Sequence, residues 1–141
     1  MEWTSNSPDE TRFLGTQLLR DFPELKVICL YGSLGSGKTC FVKGIGEALG
    51  IEAGLIKSPT FTHLFEYQTK VRILYHFDFY RQEELGSFDW DWWNELLGRD
   101  NDLLVVEWAD RIFSYLPENR LDVRFISGKN QERKLEFKFL P

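Results

Sequence analysis

Residues 32–39 read Gly-Ser-Leu-Gly-Ser-Gly-Lys-Thr. The spacing is G-x-x-x-x-G-K-[ST], the pattern of a phosphate-binding loop. Gly32, Gly35 and Gly37 let the backbone turn through positive φ and come close to a ligand. Successive N–H groups of such a loop point inward as an anion nest. Lys38 adds a point charge for the β- and γ-phosphates, and Thr39 offers a hydroxyl to Mg²⁺. Ser33, Leu34, Ser36 and Cys40 complete the stretch expected against the nucleotide. An apolar run, Val27-Ile-Cys-Leu-Tyr31, leads in. A helix-period run, Phe41, Val42, Ile45, Ala48 and Leu49, leads out and stops at Gly50. Strand, glycine loop and helix is the order this chemistry needs, because the helix aims its positive dipole end at the bound anion.

A loop of this kind needs an acid to organise Mg²⁺ and water, placed at the carboxyl end of a neighbouring strand. Two acids qualify. Glu107 follows Leu103-Leu-Val-Val106, a fully apolar run suited to a central parallel strand. Asp78 lies in His76-Phe-Asp-Phe-Tyr-Arg81, at the end of an alternating run. Glu107 is assigned to Mg²⁺. Asp78 is assigned to metal-bound or attacking water, against the alternative of a strand-end carboxylate paired with Arg81. Ser58-Pro-Thr-Phe61 follows the loop helix, where switch-type enzymes keep a γ-phosphate sensor. Thr60 is the candidate, against a plain turn at a strand start. Trp108 packs on a ligand, a partner or the core.

The elements that must hold these groups are legible in outline. Ser7-Pro-Asp-Glu10 spells a capping box with proline in the first helical turn. Phe13, Leu14, Leu18 and Leu19 then form an apolar stripe. Residues 61–67 and 71–79 suggest a hairpin around Gln68-Thr69-Lys70. In its second arm Val71, Ile73, Tyr75, Phe77 and Phe79 alternate with a mixed set, Arg72, Leu74, His76, Asp78 and Tyr80. Residues 83–97 suggest one aromatic-rich helix. Residues 121–126 and 134–139 suggest a closing hairpin around Gly128-Lys129-Asn130. The expected fold is α/β, a single domain spanning 1–141 with a small mixed β-sheet flanked by helices.

Bulk properties agree. A chain of 141 residues, 43% hydrophobic and 16% aromatic, has the composition of a folded domain with a real core. A net charge of −5 argues against nucleic-acid binding driven by excess Lys and Arg. Cys29 and Cys40 flank the loop without metal-ligand spacing and are expected as reduced thiols. No basic-then-apolar leader and no apolar run of membrane-spanning length appears, so the expected location is the cytoplasm.

Taken together, residues 32–39, Ser58-Pro-Thr-Phe61, His76-Phe-Asp-Phe-Tyr-Arg81 and Val106-Glu-Trp108 resemble the bacterial TsaE (YjeE) family over nearly the whole chain. The phosphate loop is shared by many families, and the other three motifs carry the resemblance. It implies a P-loop NTPase fold and an ATPase that supports threonylcarbamoyladenosine formation on tRNA. The implied action is on a TsaB–TsaD type complex, with no transfer of the group itself. It implies Mg²⁺ on Thr39 and Glu107, and hydrolysis tied to Asp78. The segment 7–10, including Asp9, is implied near the adenine, and Arg111 and Arg133 near the nucleotide. The run Asp89-Trp-Asp-Trp-Trp93 departs from the family's plainer helix and is read as core or partner surface. Rival readings are a small-molecule kinase, with Arg81, Arg111 and Arg133 clamping phosphates, and a scaffold that binds ATP without consuming it. No Asn/Thr-Lys-x-Asp segment is present, which disfavours GTP.

Overall fold

The computed structural model describes residues 1–57 and 64–141, apart from the side chains at 82–84. Ser58, Thr60 and Phe61 therefore lie outside the described residues. The strands are β1 (Glu2–Ser5), β2 (Val27–Tyr31), β3 (Leu64–Gln68), β4 (Ile73–Asp78), β5 (Asp102–Glu107), β6 (Arg120–Ser127) and β7 (Arg133–Leu140). The α-helices are α1 (Pro8–Asp21), α2 (Lys38–Ala48) and α3 (Trp90–Leu97). One mixed sheet has the order β1-β7-β6-β2-β5-β4-β3. Its centre, β6-β2-β5-β4, is parallel, and the outer strands pair antiparallel. The α/β expectation and both hairpins agree with this architecture.

Strand alternation divides the core into two layers. On one face Leu18, Phe41, Val42 and Ile45 of α1 and α2 pack against Ile28, Leu30, Leu74, Val105 and Val123. On the other, Trp93 and Leu96 of α3 pack against Cys29, Tyr75, Phe77, Leu104 and Val106. β2 and β5 are buried at every position, as parallel strands between two helical layers must be.

Helix α1 starts as its sequence suggests. Ser7 Oγ accepts from Glu10 N at 3.1 Å, while the Glu10 carboxylate accepts from Asn6 N at 2.5 Å, one residue before the cap. The stripe is narrower than expected, since Leu18 and Leu19 are buried and Phe13 is exposed. α1 lies hard against α2. A Cβ on Gly44 would stand 1.7 Å from Arg12 O, and one on Gly15 would stand 2.1 Å from Phe41 O. Thr16 Oγ1 donates to Gly44 O at 2.8 Å across the same contact.

Two elements differ from the sequence reading. β1 pairs with β7, a partner more than 125 residues away, and four residues carry too little periodicity to show it. The single helix over 83–97 is two pieces, a 3-10 helix at Gln82–Ser87 and then α3. Phe88 is extended between them, and Asp89 caps the new helix by accepting from Trp92 N at 3.0 Å. The tryptophan run packs inward. Trp93 is fully buried and donates from Nε1 to Tyr115 O, and Trp90 stacks on Tyr115 with centroids 3.7 Å apart. Both cysteines are free thiols. Among the described residues no helix is long and apolar enough to cross a membrane.

The α1–α2 crossing predicts a sharp asymmetry between glycines. Gly44→Ala should cost about 3 kcal/mol or more, because backbone and not a flexible side chain stands in the way. Gly54→Ala, with nothing within 4 Å of the added carbon, should be close to neutral. Urea unfolding midpoints of the two variants check this.

Candidate nucleotide site

Three parallel strands end at one edge of the sheet. In register, Leu30 faces Glu107 across β2–β5, and Asp78 faces Glu107 across β5–β4. The chain leaving β2 becomes the glycine loop, so both acids stand beside it. Period-two alternation fixes their side. His76 and Asp78 follow Leu74, and Glu107 follows Val105, onto the face that α2 covers. Loop residues 34–40 and Asp78, Glu107 and Trp108 line one cleft of about 230 Å³.

The loop is built to receive an anion. Gly37 is the N-cap of α2 at φ +107°, a left-handed conformation that favours glycine, and it supplies no capping side chain. The first-turn N–H groups of a helix have no intrahelical acceptor, and here no side chain caps them. Ser36 Oγ is buried with no hydrogen-bond partner among the described residues. Lys38 is buried, and its ammonium donates to the carbonyls of Gly32 and Ser33. Its Nζ also lies 3.9 Å from the centre of the Trp108 ring. Burial pushes the lysine pKa below its usual value, while Glu107, Asp78 and Asp110 pull it back up. A polyphosphate would supply what this cation lacks.

Trp108 reaches the lysine through strained backbone. Its φ of 58° and ψ of 41° are left-handed, which costs a bulky residue roughly 1–3 kcal/mol and is found where a site needs the geometry. The turn folds the indole back from the end of β5 against Tyr80, at 5.0 Å, and beneath the Arg111 guanidinium, at 5.1 Å. Arg111 is thus held by the Tyr80 and Trp108 rings and touches the cleft only through Trp108, not being part of its lining.

A second cleft of about 190 Å³ adjoins the first through Gly35, Gly37 and Cys40. Ser7, Pro8, Thr11, Gln131 and Arg133 line its other side. Arg133 donates to Gly35 O at 3.2 Å, tying the closing hairpin to the loop. Asp9 is exposed and pairs with Arg12 at 3.4 Å, so its neighbours Ser7, Pro8 and Thr11 rather than Asp9 itself face this cleft. Thr11 and Gln131 were missed because neither carries a motif. Thr11 directly follows the capping box, and Gln131 sits two residues before Arg133, which are the available signals.

The donor set suits a magnesium ion carried by a nucleotide. Mg²⁺ in such sites takes one or two protein oxygens and completes its shell from phosphate and water. Thr39 and Glu107, which line the same cleft, would supply those oxygens. Among the described residues no cluster of three His, Cys, Asp or Glu forms a protein cage, so this partial set is the relevant one. Asp78 is buried, and its Oδ1 accepts from Tyr80 N at 2.9 Å. A larger cavity, about 530 Å³, lies over β6 and β7 between Arg120, Arg124, Glu136 and Lys138, away from the glycine loop.

Sheet, loop and loop helix define a protein of the P-loop NTPase fold. Residues 5–135 match the family described as threonylcarbamoyl adenosine biosynthesis protein TsaE. The tRNA threonylcarbamoyladenosine biosynthesis protein TsaE of Bacillus subtilis is 35% identical over 97% of this chain and 84% of its own length. The protein of the same name from Treponema pallidum is 38% identical over 94% and 97% respectively. The crystal structure of Bacillus subtilis YdiB superposes with a TM-score of 0.78 at 33% identity, covering all of this chain and 86% of that one. The chain belongs to the TsaE family.

The lysine gives a prediction that separates stability from binding. Lys38→Met removes a desolvated charge, so the thermal midpoint without nucleotide should hold or rise. The rise in midpoint that ATP gives the wild type should vanish. Thermal melts with and without ATP decide it, and an undiminished ATP shift in the variant would sink the lysine's assignment.

Proposed function

We propose that this protein binds ATP with Mg²⁺ and hydrolyses it in support of tRNA threonylcarbamoyladenosine formation. The observation that carries the reading is the meeting of Lys38, Thr39, Asp78 and Glu107 around one cleft at the mouth of the glycine loop. The loop backbone and Lys38 hold the phosphates. Glu107 with Thr39 would hold Mg²⁺, which when bound would supply charge neutralisation at the transferred phosphoryl group. Asp78 orients the attacking water. Thr60 senses the γ-phosphate, and Leu34, Cys40, Arg111 and Arg133 frame the nucleotide. The adjoining cleft behind Ser7 and Thr11 takes the adenosine.

Membership in the TsaE family supports the tRNA-modification role. The partner is a TsaB–TsaD type complex, which performs the transfer, while tRNA is the indirect substrate. The loop and both acids line one cleft, and among the described residues its lining holds, Trp108 aside, no further polar group to receive a small-molecule acceptor. ATP turnover therefore serves a protein partner, and hydrolysis is slow without it. The reading places the protein in the cytoplasm, where tRNA is modified.

The test is ATP loss measured with and without the partner complex. Partner addition should raise the wild-type rate. Asp78→Asn should lower the stimulated rate by roughly 10²-fold or more while ATP binding persists, as expected for loss of a group that positions or deprotonates water. Equal rates with and without partner would count against the coupling. An unchanged rate in the Asn variant would remove Asp78 from the chemistry.

A further inference from the structure

One buried polar group near the cleft has no part in that mechanism. His76 lies on β4, fully buried, two residues before Asp78 and on the same face of the strand. Its register partner is Val105, so its ring reaches two residues along β5 to meet Glu107. Nε2 of His76 lies 2.5 Å from Oε2 of Glu107. Nδ1 has no hydrogen-bond partner among the described residues.

The chemistry of the two groups sets the direction of the bond. A carboxylate oxygen only accepts, so Nε2–H donates. A single ring proton suffices, and Nδ1 then needs no acceptor. The arrangement is costly compared with an apolar side chain, since a buried ring nitrogen stays unmet. The residues around it show what the core would otherwise hold, with Leu74 before it on the same face and Val105 beside it. Core packing alone does not call for an imidazole here.

Glu107 does call for one. Its carboxylate ends a side chain with three rotatable bonds at a cleft edge, in a region 3% exposed. Of its other strand neighbours on this face, Leu30 and Val105 are apolar, and the Asp78 carboxylate opposite it in register has no hydrogen to donate. We propose that His76 is a positioning residue. By donating from Nε2 to Oε2, it fixes the orientation of the Glu107 carboxylate in the cleft that Glu107 and Thr39 both line. The inference rests on the reading that Glu107 and Thr39 hold nucleotide-bound Mg²⁺. Groups that orient a metal-binding side chain in this way typically account for a large part of metal affinity without touching the ion.

The test is calorimetric affinity for ATP, measured in Mg²⁺ and again in EDTA, so that the ratio isolates the metal's contribution. Wild type is compared with His76→Leu, His76→Gln and His76→Asn. The Gln amide nitrogen reaches the position of Nε2, whereas the Asn nitrogen falls near Nδ1. The Mg²⁺ gain should fall about 10–100-fold in His76→Leu, while affinity in EDTA stays within about twofold of wild type. His76→Gln should recover most of the gain and His76→Asn should not. A purely structural histidine would lower both affinities together, and that result overturns the inference. So does a wild-type gain in the Leu variant, or equal rescue by Asn and Gln. If His76→Leu does not fold, the comparison of Gln with Asn decides alone. A wild type whose ATP affinity ignores Mg²⁺ overturns the metal reading and the inference with it, whereas a gain retained by all three variants overturns the histidine's role only.

Discussion

Parallel pairing of β2, β5 and β4 brings three strand ends to one edge of the sheet, and the site depends on that alignment. A parallel ladder advances its neighbours in step, and alternation sends every second side chain to the same face. Asp78 and Glu107 therefore become neighbours although 29 positions separate them in the chain. The same register lets His76 reach Glu107. A slip of one residue in β4 would send both His76 and Asp78 into the layer of Phe77, Phe79 and Trp93. The aromatic layer beneath α3 is thus also what secures the register of the acid-bearing strand.

The second constraint is electrostatic. Lys38 is a buried ammonium facing two carbonyls, an indole ring and three nearby carboxylates. None of these compensates fully for lost water, as the lowered pKa indicates. Ser36 Oγ and the uncapped start of α2 are likewise unmet. Such unmet groups subtract from stability in the free protein and favour an anionic ligand, so binding and folding draw on the same residues. The tight α1–α2 crossing at Gly15 and Gly44 stabilises the helix whose first turn carries this burden.

Much of this was legible in the sequence, for definite reasons. The glycine loop reads from local spacing, and the apolar run 103–106 marks a strand buried on both sides. The hairpins at β3–β4 and β6–β7 read from alternation and turn residues. What escaped depends on distant pairing or on competition between local signals. β1 exists because β7 is there to receive it, and nothing in Glu2–Ser5 foretells that. The break at Phe88 was hidden by aromatic periodicity that continues across it, although Asp89 is a good cap. Trp108's left-handed backbone defies its residue type, so no propensity rule would place it there. His76 showed itself as a motif member, but its contact with Glu107 appears once β4 and β5 are in register.

The strand order also sets a timetable during synthesis. β2 is the central strand that carries the glycine loop, and its two neighbours are β5 and β6. Both are made long after it. At translation rates of about 5–20 residues per second, the run Val27–Tyr31 waits roughly 4–15 s for the first of them. Through that interval an apolar, β-prone segment has two open edges, the kind of exposure that invites pairing with other chains. Helices α1 and α2, made just before and just after it, pack on one face of this segment and are the earliest cover available to it. The loop helix thus has an earlier use as a guard for the nascent strand, before any nucleotide is present.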